Sequence, residues 1–95
     1  PLYRVTGDPA LVGYSPLMPA QQLMTTDANG VVVSDPVTVN IAVAALGDVQ
    51  NVEIYYYSET DHKWKLAPVN GIDHATNSVN VTIPGNAVFT LVHKN

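Results

Sequence analysis

Cysteine is absent from the 95 residues, which excludes disulfides, thiolate metal sites and cysteine nucleophiles together. It does not locate the chain, because bacterial surface proteins also do without cysteine. Charge is scarce as well. Four basic residues stand against eight acidic ones, for a net charge of −4, and charged residues make up 13% of the chain, roughly half the usual share of about 25%. Arg4, Lys63, Lys65 and Lys94 are too few and too scattered to neutralise a phosphate backbone, so nucleic acid is not an expected partner. No apolar run approaches the roughly 20 residues needed to cross a bilayer, and membrane insertion is not expected. A basic n-region with an apolar h-region is also missing, and residue 1 is Pro, so the chain reads as processed or cut from something longer. Nor does any stretch of ten or more residues keep a helical period. The nearest, "SPLMPAQQLMTTDA", is interrupted by Pro19.

What remains is β. With so little charge, the polar surface must be built from Thr, Asn, Ser and Gln, a composition that goes with secreted modules. An extracellular or cell-surface setting is expected, with a periplasmic or particle-associated one as variants. The length suits a single domain, 1–95, burying somewhat over 60% of its unfolded surface.

In "PVTVNIAVA", Val37, Val39, Ile41 and Val43 alternate with Thr38, Asn40 and Ala42, the period of a half-buried strand. "VEIYYYS" alternates Val52, Ile54 and Tyr56 against Glu53, Tyr55 and Tyr57, and its β-branched and aromatic content favours strand over helix. "SETDH" turns the chain into "KWKLAP", and "VNGIDHATN" reads as a further turn region around Asn70-Gly71. "SVNVTI" puts Val79, Val81 and Ile83 on one face, Pro84-Gly85-Asn86 turns, and "AVFTLVH" closes the chain. The first 35 residues are punctuated by "GDPA", "YSPLMPA", "DANG" and "SDP", turn-setting clusters. Pro16 and Pro19 make their neighbourhood an edge strand or an extended connection, and residues 1–20 are expected to form an extended N-terminal arm or edge segment. The sum is an all-β antiparallel β-sandwich of about seven or eight strands, with a small barrel or a jelly-roll fragment as the other folds of that pattern.

The three tyrosines pose a choice. Neighbours along a strand point to opposite faces, so Tyr56 is expected inward, with Trp64 and Phe89 in the same core. Tyr55 and Tyr57 are then expected on the surface beside Glu53, about 7 Å apart along the strand. A hairpin accounts for them best. The rival is a stacking platform for a sugar or a protein. In the N-terminal arm, Tyr3 and Tyr14 join Leu2, Leu11, Leu17 and Met18 as apolar groups that must pack on the sandwich or on a partner. Tyr55, Tyr57, Tyr3 and Tyr14 are therefore the candidate contact residues.

Catalytic and metal chemistry find little to work with. His62 and His74 sit in predicted turns and His93 lies near the C-terminus, none with a second His two or four residues away, which reads as solvated turn and tail rather than zinc ligation. Ser58, Asp61 and His62 make a triad only on paper, because an Asp adjacent to the His does not reach its far nitrogen. A nucleophile elbow, a phosphate loop and a His-Glu-x-x-His helix are missing from the sequence. Asp27-Ala-Asn29-Gly30 places glycine at position 4, not the position 6 of a calcium loop, and suits a hairpin turn. Asn80-Val81-Thr82 matches the glycosylation tripeptide, which matters only in a eukaryotic secretory setting. No catalytic residue, cofactor or metal ligand is assigned.

"DANGVVVSDPVTVNIAV" followed by "VEIYYYSETDHKWKLAPVNGIDHATNSVNVTIPGNAVFTLV" resembles the ankyrin and netrin-receptor (ZU-five) type module and its bacterial Ig-like relatives of secreted and surface proteins. The likeness covers roughly residues 27 to 92 and rests on a "PVTV" strand, a tyrosine-rich strand, a turn to a tryptophan, an alternating strand and a closing aromatic strand. It implies that the all-β sandwich is Ig-like, and that it serves as a structural or protein-interaction module of a larger extracellular assembly. Some relatives cut themselves at a His-Phe-Ser/Thr site before the last strand. By register from Phe89 that slot holds Gly85, Asn86 and Ala87, so self-cleavage is not expected. The function expected is thus a non-catalytic structural or interaction module with protein partners, the alternative being a carbohydrate-binding module using exposed tyrosines.

Overall fold

The computed structural model describes residues 13–43 and 52–94. These form nine strands and no helix: β1 (Tyr14–Pro16), β2 (Gln21–Thr26), β3 (Val32–Val33), β4 (Pro36–Ala42), β5 (Val52–Ser58), β6 (Lys63–Leu66), β7 (Val69–Asp73), β8 (Ser78–Pro84) and β9 (Asn86–Lys94). All pairings are antiparallel. The larger sheet has the order β3-β2-β9-β5-β6, with β1 also on β9, and the smaller has the order β4-β8-β7. Because β5 takes one edge of β9 over the residues that β1 and β2 also reach, β1 and β2 run end to end along its other edge. The Leu17 amide, donating to the Leu91 carbonyl at 2.9 Å, ties the break between them to β9. Pro16 and Pro19 thus fall on an edge segment, where missing backbone donors are tolerated.

The inner faces of the two sheets share one core: Val43, Val52, Ile54, Ala67, Val79, Val81, Ile83 and Leu91, with Phe89, Tyr56, Leu23, Met18 and Leu17 packed against it. Burying each such aliphatic side chain contributes about 1.5–3 kcal/mol, so this layer holds the sheets face to face as in a β-sandwich. The alternation read in β4, β5 and β8 is what fills it.

Three local readings are corrected. Residues 69–73 are the strand β7 rather than turn, with a register shift between Val69 and Gly71. The turn proper is 74–77, where the Asp73 carboxylate accepts the Ala75 amide at 2.9 Å and Asn77 takes φ 49°. Asn70-Gly71 forms a bulge, because its flanks pair with the neighbour instead of with each other. Pro84-Gly85-Asn86 does not reverse the chain but carries it from β8 in one sheet to β9 in the other. There the Gly85 amide donates to the Asp35 carbonyl at 3.0 Å, and its carbonyl accepts the Thr25 amide at 2.7 Å. The third correction concerns Trp64. Four residues separate Ser58 from Lys63, and the register sets Trp64 opposite Tyr57 and Lys65 opposite Tyr56. Trp64 therefore faces outward with Tyr55 and Tyr57, and not into the core that holds Phe89.

Candidate functional site

Apolar residues cover both faces of the larger sheet. On its outer face Tyr55, Trp64, Val88 and Val92 form a second cluster, with Tyr14, Ala20 and Tyr57 packed on it. Tyr55 and Trp64 are only 8% and 2% exposed. Their rings meet neighbours edge to face, Tyr14 on Tyr55 at 5.7 Å and Tyr57 on Trp64 at 5.5 Å, the geometry aromatic quadrupoles favour. The expectation of an exposed Tyr55–Tyr57 pair is corrected: Tyr55 is buried and Tyr57 half-buried. Tyr14 joins Tyr55, whereas Tyr3 lies outside the described residues. Desolvation pushes the Tyr55 phenol well above the usual tyrosine range, with Tyr14 and the Glu53 carboxylate adding to the shift. The Tyr55 hydroxyl donates to Glu53 Oε2 at 3.4 Å.

A groove of about 350 Å3 opens where the end of β5 and the β5–β6 turn meet the crossing at 84–87. Tyr56, Tyr57, Glu59 and Thr60 line one side, and Ser34 and Asn86 lie on the other. The size falls at the lower end of small-ligand pockets, and the lining mixes rings with hydroxyl, amide and carboxylate groups. The paper triad beside it is structural: Ser58 Oγ accepts the Asp61 amide at 3.1 Å, capping the turn. Asp61 pairs with Lys65, and that ammonium holds its carboxyl below the usual carboxylate range. His62 sits in the same turn at φ 54°. No three His, Cys, Asp or Glu residues come together among the described residues, and among them no helix is long and apolar enough to cross a membrane.

The outer face of the smaller sheet is different in kind. Asn80 Nδ2 donates to Asn40 Oδ1 at 2.8 Å, and Asn70 Nδ2 donates to Asn80 Oδ1 at 3.0 Å and to Thr82 Oγ1 at 2.9 Å. Thr38 and Thr82 share a hydroxyl bond at 3.3 Å. An uncharged amide and hydroxyl row thus crosses β4, β8 and β7. Alternation puts Asn40 on the polar face of its own strand and Asn80 and Thr82 on that of theirs, but gives no sign of Asn70, which reaches them because the bulge turns it outward. The Asn80 amide, the atom a glycan would need, is committed to this row. The "DANG" hairpin behaves as expected, with Asp27 Oδ1 accepting the Asn29 and Val31 amides at 2.8 and 3.0 Å and Gly30 at φ 81°.

The sheet edges are unequal. β6 carries Lys63 and Lys65, β7 is bulged and ends in Asp73, and β3 has two residues. Charges, bulges and short strands all blunt an edge against pairing. β4 has seven residues in unbroken register with β8 and no charged side chain. Comparison with protein-family models, curated proteins and solved structures returned no match for this chain.

Proposed function

We propose that the chain is a non-catalytic structural or protein-interaction module of an extracellular or particle-surface assembly, built as an Ig-like sandwich of the kind its resemblance implies. Strand order supports the Ig-like part. β4-β8-β7 matches the B-E-D order of an Ig sheet, and β6-β5-β9 matches C′-C-F. β1 and β2 then stand where the last Ig strand would lie, beside F. The observation that carries the interaction reading is the long, uncharged and regular β4 edge, bordered by the neutral Asn and Thr row. Such an edge is a ready template for another chain. Site-specific photo-crosslinking in the native host tests it. A photoreactive residue at Thr38 should give protein adducts, and one at the exposed His62 turn should give few. Adducts at His62 alone would place the contact elsewhere.

The groove beside Tyr57 favours a second reading, a carbohydrate site. Saturable quenching of Trp64 or tyrosine fluorescence by mono- or oligosaccharides, lost in Tyr57→Ala, would establish it. A flat titration across a glycan panel supports the interaction module.

A further inference from the structure

We infer that the β4 edge pairs antiparallel with the β4 edge of a second copy, joining the two smaller sheets into one continuous six-stranded sheet about a two-fold axis. This rests on the interaction reading above and names its partner.

The backbone orientation of β4 follows from two hydrogen bonds. The Val43 amide donates to the Asn77 carbonyl at 2.7 Å, toward β8. On the far side of β8 the Thr82 amide is directed at Pro68, at 3.5 Å, so the even-numbered amides of β8 face β7 and its odd-numbered ones face β4. Alternation along the strands then turns the amides of Val37, Val39 and Ile41 to β8 and those of Thr38, Asn40 and Ala42 to the outer edge. Pro36, which has no amide hydrogen, falls in the outward set, where it costs no bond to β8. No described strand takes these outward groups.

Side chains agree. Val37, Val39 and Ile41 face the core yet are only half-buried, whereas their partners on β8, Ile83, Val81 and Val79, are at most 1% exposed. The larger sheet extends past β9 through β1 and β2, and the smaller one stops at β4 among the described strands. A strand added there must carry β-branched residues inward and neutral hydroxyl or amide groups outward, to continue the row through Asn40.

β4 itself meets that description. Paired with its own copy about Val39, it sets Val37 against Ile41 on the inner face and Thr38 against Asn40 on the outer. Charge does not oppose the union. The nearest acidic residue, Asp35, adjoins the start of the strand, so the two Asp35 side chains fall at opposite ends of the ladder. That separation is on the order of 25 Å, from a rise of about 3.4 Å per residue, well beyond the roughly 8 Å screening length at physiological salt. Two seven-residue strands bury less than the ~1,200 Å2 of a stable interface. The dimer is therefore weak and concentration-dependent, and it gains from repetition in an assembly.

Amide hydrogen exchange and sedimentation velocity on the full chain, from about 10 μM to about 1 mM, the range of weak association, test this. Sedimentation should shift from monomer toward dimer as concentration rises. The amides of Thr38, Asn40 and Ala42 should become protected in step with it, while those of Val39 and Ile41 stay protected throughout. Thr38→Pro, which removes an outward donor and leaves the β8 ladder intact, should abolish dimerisation with the fold retained. Asn70→Lys, on the far strand of the same face, should leave it unchanged. A monomer at every concentration would overturn the inference, as would a dimer in which the three outward amides exchange as in the monomer. Protection of those amides already at the lowest concentration would show the edge filled by the chain itself, which also overturns it. If Thr38→Pro does not fold, the exchange pattern of the unmodified chain decides. A monomer that still gives protein adducts from Thr38 in the host would sink self-pairing and leave the interaction module standing.

Discussion

The Tyr55 phenol lies under the Tyr14 ring with the Glu53 carboxylate at its hydroxyl, and burial there favours the neutral form. In the unfolded chain the same phenol titrates near the ordinary value of about 10. Above that pH the folded state holds a proton that the unfolded state has released, so stability falls as pH rises. The contribution is complete below pH 10 and drains away as pH climbs toward the folded-state value. Melting temperature followed from about pH 8 to about pH 11 should drop along this limb, and Tyr55→Phe should make the drop shallower. An equal slope in the variant would mean that other groups carry it. Gly85 is the second residue with a sharp consequence. A Cβ built there meets the Asp35 carbonyl at 2.8 Å and the Val33 carbonyl at 2.9 Å, both backbone atoms with little room to move. Gly85→Ala should therefore cost roughly 1–3 kcal/mol, as overpacking does, and lower the melting temperature by several degrees. An unchanged melting temperature would show that the β8–β9 crossing at Gly85 and the β3–β4 crossing at 34–35 are not tightly packed on each other.

At the scale of the strand, β5 shows where period-two reading succeeds and where it stops. Val52, Ile54 and Tyr56 face the core as the alternation implies, and the same holds for β4 and β8. Alternation alone puts Tyr55 and Tyr57 at the surface, because the other face of a two-sheet protein is ordinarily solvated. Yet a strand covered on both sides reads as a near-continuous apolar run, and "IYYY" in β5 and "AVF-LV" in β9 have that form. The signal was in the residues, at odds with a simple in-and-out pattern. The face of Trp64 was not legible. It depends on the residue count of the β5–β6 loop, and a shift of one flips every side chain to the other face. β7 was hidden by its Asn-Gly pair, a turn signal when read alone, which here makes a bulge. The opposite placement of Trp64 and Phe89 is open to a double-mutant cycle. Each truncation to Ala should cost about 3–5 kcal/mol, and the two should add to within about 0.5 kcal/mol, as distant sites do. Trp64 and Tyr57, which share a ring contact, should instead show coupling beyond that margin. Strong coupling between Trp64 and Phe89 would return them to one core.

Across the whole molecule, scarcity of charge sets the terms of any contact. The one ion pair described, Asp61–Lys65, is surface-exposed, and exposed pairs contribute little. The all-β class was legible from composition and periodicity. The candidate contact surface was not, because it follows from which strand edge has no described neighbour, and strand order is a long-range property that no local pattern encodes. Contact through a neutral strand edge depends on backbone hydrogen bonds and apolar burial, neither of which salt screens. Sedimentation velocity at one high protein concentration, in about 0.1 M and about 1 M salt, spans screening lengths of roughly 10 to 3 Å. The same degree of association at both salts is the result this structure predicts. Association at 0.1 M that dissolves at 1 M would contradict it, and would point instead to the few charged side chains.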